Sequence, residues 1–434
     1  MSERERPART SLLQPPWSGM SLPGLLKGGA TLRAGAPAVI EPPEVENLIG
    51  RPSRALTCRD LNTDVDLTAQ KLRTLGLRPG DIALLHLPNT AEAIIALLAV
   101  QKAGAVPAPI GIFEGAERVA EAARLVDAAA IITVEAFAGL NTAVQCRDAA
   151  VAAMGVRFVA AFGRAVPEGV ASLSDWDQVE FLSKAPFPKL PGAATALITF
   201  DETAGPLRAL GRTHEQLVAE AAMAASLARV STGSRVLATI PPASAAGVIY
   251  GVALPLLSGA VLELNALFDS CVFGAQLGDG AKTAVILPGA AAEAYQAHCA
   301  SRAVRTESVV LIHRPQPDDL SALPTGKMRR DPRTVDMLCL GEAALVSSLR
   351  ATQQVIGHLP QTVGYSVPGV MQTDAPALRL TASDRGGLMA EGTLCATPAE
   401  GPGGPLATGF AGERRGTQGF TLATRTAGTL TSAA

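Results

Sequence analysis

The chain has 434 residues, enough for about two to three domains whose cores need no covalent staples. Apolar residues make up 48% and charged residues 18%, which excludes a disordered chain. The 37 basic and 39 acidic residues leave a formal charge of −2 with no basic block, which excludes a nucleic-acid-binding arm.

The first residues, Met1 to Arg9, mix both charges, and Gln14 to Gly24 is broken by Pro and Gly, so no signal peptide is expected in the tail spanning 1–21. From Leu61 to Leu75 apolar residues recur at near-helical spacing, and Arg78-Pro79-Gly80-Asp81 turns the chain into a buried strand, Ile82 to Leu87. A helix from Glu92 to Lys102, a strand from Ala105 to Ile110, a helix from Glu114 to Val126 and a strand from Ala130 to Val134 follow. Such alternation predicts a parallel sheet wrapped by crossover helices.

The proline-rich stretch Pro186 to Pro191 divides this first α/β subdomain (22–185) from a second (192–377) with the same rhythm. The second contains strands at Ala194–Phe200, Arg235–Ile240, Ala260–Leu264, Thr283–Leu287 and Ser308–Ile312, and helices at Thr213–Leu227 and around Ile249–Leu257. Val236 to Leu262 holds no charge, yet Pro241, Pro242 and Pro255 interrupt it, so it reads as strand, turn, buried helix and strand, with no membrane span. From Leu378 to the end (378–434) short β-prone pieces alternate with glycine clusters. The six cysteines never approach Cys-x-x-Cys spacing and the five histidines are scattered, so no zinc site or disulfide framework is written, and a cytoplasmic location is expected.

Arg73, Leu75-Gly76, Arg78-Pro79-Gly80-Asp81, Leu87-Pro88-Asn89, Glu92, Leu97-Leu98-Ala99, Lys102 to Ala105 and Pro107 occur in an order that resembles the early part of the adenylate-forming (AMP-binding) superfamily. Ala196 to Phe200, Gly205-Pro206, Thr213-His214, Gly341 to Leu345 and Gly364-Tyr365 continue the resemblance, from about Leu22 to about Phe420. It implies two stacked α/β subdomains plus a small β-rich subdomain, as in the amino-terminal domain of acyl-CoA synthetases and their relatives. It also implies nucleotide-binding roles for Thr203, Gly205, Arg208, Gly341 and Tyr365.

The departures from the family pattern cluster at the nucleotide. The family's Thr/Ser/Gly-rich phosphate loop ends in Pro-Lys-Gly, whereas this chain reads Asp201 to Leu210, with Arg208 where the lysine would stand and two carboxylates beside it. Arginine can bind phosphate, but Asp201 and Glu202 would repel a triphosphate, and Glu202 replaces a glycine that lets backbone approach closely. The Tyr-Gly-x-Thr-Glu motif becomes Tyr365-Ser366-Val367-Pro368-Gly369, without the magnesium carboxylate. No aspartate follows Asp384 to hold the ribose, and the chain stops at Ala434 where the family's lid domain with its catalytic lysine would begin. Gly326-Lys327 resembles the lid's lysine tract but comes too early, and reads as a solvated loop. His214 reads as a helix-start residue.

These losses point to a non-catalytic relative with no catalytic or metal-binding residues and no cofactor, which binds an acyl or carboxylic-acid ligand or serves as partner to a protein such as an active paralogue. The alternative is an active ATP-dependent acid ligase that uses ATP and magnesium and is completed by a separate lid domain.

Overall fold

The computed structural model describes residues 17–174, 186–278, 282–321, 323, 333–350, 356–364, 367, 376–384, 386–399, 404–416 and 419–424. Helix α1 (Leu22–Leu32) starts where Ser21 Oγ accepts the Gly24 N–H at 3.2 Å, with Pro23 in the first turn, where a missing N–H is harmless. It leads through β1 (Pro37–Ile40), α2 (Val45–Ile49) and β2 (Ala55–Thr57) into α3 (Cys58–Thr74), which is opened by a Thr57/Asp60 capping box.

The next elements are β3 (Ile82–His86), α4 (Ala91–Lys102), β4 (Val106–Ile110), α5 (Ala116–Leu125), β5 (Ala130–Val134), α6 (Thr142–Ala153), β6 (Phe158–Phe162) and β7 (Val170–Ser172). They build a five-stranded sheet of order β4-β3-β5-β6-β7, parallel at every pairing, as the alternation predicts. All of β5 is buried, the pattern of a strand covered on both faces. Helix α4 is apolar nearly all round and correspondingly buried. Its one carboxylate, Glu92, is held by Arg51, which also grips Glu41, while Glu41 Oε1 accepts the Ala91 N–H at 2.8 Å. A residue from the β1–α2 loop thus caps the start of α4, which Thr90 does not cap with its own side chain.

The second half runs β8 (Thr195–Asp201), β9 (Arg208–Thr213), α7 (His214–Ala228), β10 (Arg235–Ala238), α8 (Ala245–Val248), α9 (Leu254–Ser258), β11 (Val261–Leu264), α10 (Ser270–Leu277), β12 (Thr283–Pro288), α11 (Ala292–Arg302), β13 (Ser308–His313), β14 (Arg333–Leu340) and β15 (Ala344–Leu349). A π turn, Ile249–Ala253, joins α8 to α9 just ahead of Pro255, which has no N–H to offer the preceding turn. The chargeless window is therefore a strand, a buried helix and a strand. Among the described residues no helix is long and apolar enough to cross a membrane.

The resulting sheet has eight strands in the order β15-β14-β13-β12-β10-β11-β1-β2, parallel except at its two outer pairs. Strands β1 and β2 lie before the proline-rich stretch yet belong to this sheet, where Val39 pairs with Leu262. Sheet membership thus crosses the boundary expected near residue 185, because the free edge of β11 offers a ladder that sequence proximity does not reveal. Asn89, in the Leu-Pro-Asn segment, joins the two sheets by donating to the carbonyls of Ala238 at 3.0 Å and Asn265 at 2.9 Å.

The remaining strands are β16 (His358–Pro360), β17 (Thr362–Val363), β18 (Leu378–Ala382), β19 (Gly387–Glu391), β20 (Thr397–Pro398), β21 (Leu406–Arg415) and β22 (Gly419–Ala423). Six of them form an antiparallel sheet of order β16-β22-β21-β19-β18-β17, which begins at His358, ahead of the expected Leu378. Strand β20 leaves it to pair with β9, tying this last unit to the β8–β9 hairpin.

Candidate functional site

The segment read as a phosphate loop is the tip of the β8–β9 hairpin, in which Asp201 pairs directly across from Arg208. That register brings their side chains together. Asp201 is 4% exposed, and its Oδ2 accepts from Arg208 Nε at 3.1 Å and Nη2 at 2.6 Å. Its Oδ1 accepts from the Thr203 backbone N–H at 3.1 Å and lies 2.7 Å from Thr203 Oγ1. Thr203 Oγ1 also lies 2.9 Å from the Thr408 carbonyl, and Arg208 Nη2 reaches the Ala407 carbonyl, so both side chains are fastened to β21 as well.

Two glycine turns press on this arrangement. Gly341 follows β14 at the carboxyl edge of the eight-stranded sheet with φ +59°, and a Cβ there would stand 2.4 Å from Thr203 Oγ1 and 2.6 Å from Asp201 Oδ1. Gly409 in β21 has φ +85°, and its Cβ would meet the Thr203 carbonyl oxygen at 2.0 Å. Both positions exclude any side chain. Gly205 differs: its φ of +131° demands glycine, yet nothing lies within 4 Å of where a Cβ would sit. It occupies the open side of the loop. Glu202 also faces outward and pairs with Arg118 of α5, an exposed contact of little energetic weight.

Behind Gly341 lies a second charged cluster. Glu342 is 2% exposed; its Oε2 accepts the Ala245 N–H at the start of α8 at 2.9 Å, and its Oε1 pairs with Arg314. Arg212 of β9 donates to the Glu342 carbonyl at 2.7 Å and stands 4.0 Å from its carboxylate. Glu220 of α7 faces the same cluster, fully buried and with neither oxygen hydrogen-bonded. Burial pushes its carboxyl up to about 7, with Arg212 opposing and Glu342 reinforcing the shift. His214, at the first position of α7, is pushed down to about 4 by burial and accepts the Leu22 N–H on Nδ1 at 3.4 Å, which anchors α1.

Of the residues singled out from sequence, Thr203, Arg208 and Gly341 thus meet around Asp201, and Gly205 stands at the loop's open side. Tyr365, Lys327, Pro368 and Gly369 lie outside the described residues. In β22, Phe420 is buried and Thr421 pairs with Glu413 and His358. The sequence presents Asp201 as a charge that repels phosphate, whereas in the fold it pairs with Arg208 across the hairpin. The available signal was the turn-prone Ala204-Gly205-Pro206 between a strand and an arginine, which marks a hairpin.

A family model described as AMP-binding enzyme matches residues 31–365. The chain belongs to that family. It is 28% identical over 246 residues to the salicyl-AMP ligase/salicyl-S-ArCP synthetase of Mycobacterium tuberculosis, covering 56% of this chain and 41% of that protein. It is 40% identical over 86 residues to the propionate–CoA ligase of Escherichia coli, covering 20% and 13%. The chain therefore spans less than half the length of these curated relatives. Among solved structures, a benzoate CoA ligase from Burkholderia xenovorans aligns with TM-score 0.68 and 16% identity over 94% of this chain and 80% of the other. The N-terminal subdomain of Klebsiella oxytoca NpsA, in complex with anthranilyl-AMSN, aligns with TM-score 0.61 and 16% identity over 94% and 100%. The fold is that of the amino-terminal domain of adenylate-forming enzymes.

Proposed function

We propose that this chain binds an acyl or aryl carboxylic acid beside the β8–β9 loop without converting it to an acyl-adenylate, alone or as partner to an active ligase. The observation that supports this reading is the Asp201 carboxylate, which holds both the guanidinium of Arg208 and the hydroxyl of Thr203. Adenylation requires a carboxylate oxygen to attack the α-phosphorus of ATP while pyrophosphate departs, and donors aimed at the departing charge supply much of the rate. A triphosphate brought to this loop must displace a buried carboxylate from its partner or lie against it, and the residues present do not fit that group. Six cysteines without a disulfide among the described residues support a cytoplasmic location.

The test is pyrophosphate release with ATP and magnesium in the presence of salicylate, benzoate or propionate, the acids in the names of the relatives. The expected result is no release above background, with carboxylate binding still detectable by calorimetry. The names of the relatives favour a second reading, an active acid ligase in which Arg208 swings from Asp201 to the nucleotide. Steady pyrophosphate release that disappears in Arg208→Ala would establish it.

A further inference from the structure

The chain carries a net charge of only −2, yet its fold does not spread the charges evenly. At the amino ends of the neighbouring parallel strands β10, β12, β13 and β14 it gathers Arg229, Lys282, Arg302, Arg305 and Arg333. Helices α7 and α11 each hand the chain to a strand that starts on this edge, which delivers Arg229 and Arg302 there. Lys282 immediately precedes β12 and its carbonyl accepts the Arg235 N–H at 2.9 Å, while Arg333 opens β14 opposite Ser308. Arg333 is partly buried and the other four are exposed, and no ion pair among the described residues engages any of the five. The described carboxylates beside these strand starts are Glu307 and Glu263, and Arg235 holds the second of them at 3.1 Å. Arg333 is fastened through Nε to the Leu227 carbonyl in the last turn of α7, where burial and the adjacent Arg229 hold its guanidinium below the usual arginine range. Two like charges share that spot.

Exposed leucines flank the row. Leu349, the last residue of β15, pairs with Val335 near the start of β14 and is 41% exposed. At the other end Leu32 closes α1 and is 83% exposed, next to Arg33, which is bonded to the Gly259 carbonyl ahead of β11. Neighbouring strands lie about 4.8 Å apart, so the four strand starts span about 15 Å of one sheet edge, with a leucine beyond either end.

We propose that this amino edge docks the chain on an anionic membrane surface, with the cations at the headgroups and Leu32 and Leu349 at the acyl boundary. A soluble polyanion would engage the cations and leave both leucines in water, whereas a lipid interface takes both. The edge lies at the opposite ends of the strands from Gly341 and the Asp201 loop, so the assignment goes beyond the proposed function and stands or falls independently of it.

Cosedimentation of the full chain with vesicles of phosphatidylcholine containing about one-third phosphatidylserine tests it, with pure phosphatidylcholine vesicles as the neutral surface. The anionic vesicles should bind at least tenfold more tightly than the neutral ones, and raising the salt from about 0.05 to about 0.3 M should weaken that binding severalfold. The double variant Arg302→Glu, Arg305→Glu should lose at least tenfold in affinity, and Leu32→Ser at least threefold. An equal reversal of charge on the other sheet's helices, Arg124→Glu with Arg147→Glu, should cost less than threefold. Thermal melting checks folding, and if a variant does not fold, the two vesicle surfaces compared on the unaltered chain decide. No sedimentation with the anionic vesicles, equal sedimentation with the neutral ones, or equal loss in the two double variants would overturn the proposal. Retention on heparin without vesicle binding would assign the edge to a soluble polyanion and overturn it as well.

Discussion

Arg208 and Arg33 show two ways of holding a guanidinium near opposite edges of one sheet. Arg208 lies beside the carboxyl edge, gripped by a carboxylate whose side chain is 2% exposed, with two glycine turns closing over the pair. Arg33 lies beside the amino ends of β1 and β11 with one carbonyl partner, a glycine seat and an apolar cavity in front of it. The family pattern directs attention to the first, but charge at a position is not binding capacity. An arginine recruits an anion only with the donors its own fold leaves free, and Asp201 takes up those of Arg208.

The strongest way to break this contrast is at the clamp. Gly341→Val forces a branched side chain into φ +59° and onto Thr203 and Asp201. Strain and overpacking together should cost about 4 to 5 kcal/mol in urea unfolding, whereas Gly205→Ala, with open space around it, should cost only about 1 to 2 kcal/mol. Equal losses at the two glycines would show that the loop is not packed as described.

Next in size is Arg208→Met, which strands the Asp201 carboxylate and should cost about 3 to 5 kcal/mol. Adding Asp201→Asn to the same chain should recover most of that loss, as double-mutant unfolding curves would reveal. Arg33→Met removes a single hydrogen bond at a partly exposed site and should cost about 1 kcal/mol, the smallest effect of the series.

Between these lies a pH effect at the buried cluster. Burial raises the Glu220 carboxyl from an ordinary 4.5 to about 7 in the fold, so the folded chain holds a proton that the unfolded chain releases. Its contribution is intact below 4.5 and is lost as pH rises through 7, about 3 kcal/mol at most. Arg212, Glu342, Cys339 and Cys395 are the titratable groups that face it. Glu220→Gln should therefore gain stability relative to the unaltered chain between pH 5 and pH 8.5. The buried histidines run the other way: His86 and His214 are both lowered to about 4 by burial, so their contribution is intact above 6.5 and is lost as pH falls through 4. Melting curves across pH 4 to 9 on both chains separate the two trends.

Local pattern was enough for the parallel strands from Ile82 to Val134, because strands buried on both faces leave continuous apolar runs. It was also enough to read Pro241, Pro242 and Pro255 as breaks in a buried run, because a missing N–H acts wherever the residue sits. The family resemblance located Thr203, Arg208 and Gly341 but not what each one touches.

Composition and short-range periodicity determined the α/β class and many of the strand and helix positions, since those depend on a residue and its near neighbours. Tertiary structure alone decided that Asp201 faces Arg208 across a hairpin, that β1 closes on β11, and that Arg33 reaches Gly259. Each of those depends on register or on segments distant in the chain, and a side chain's remaining hydrogen-bonding capacity exists only once its neighbours are in place.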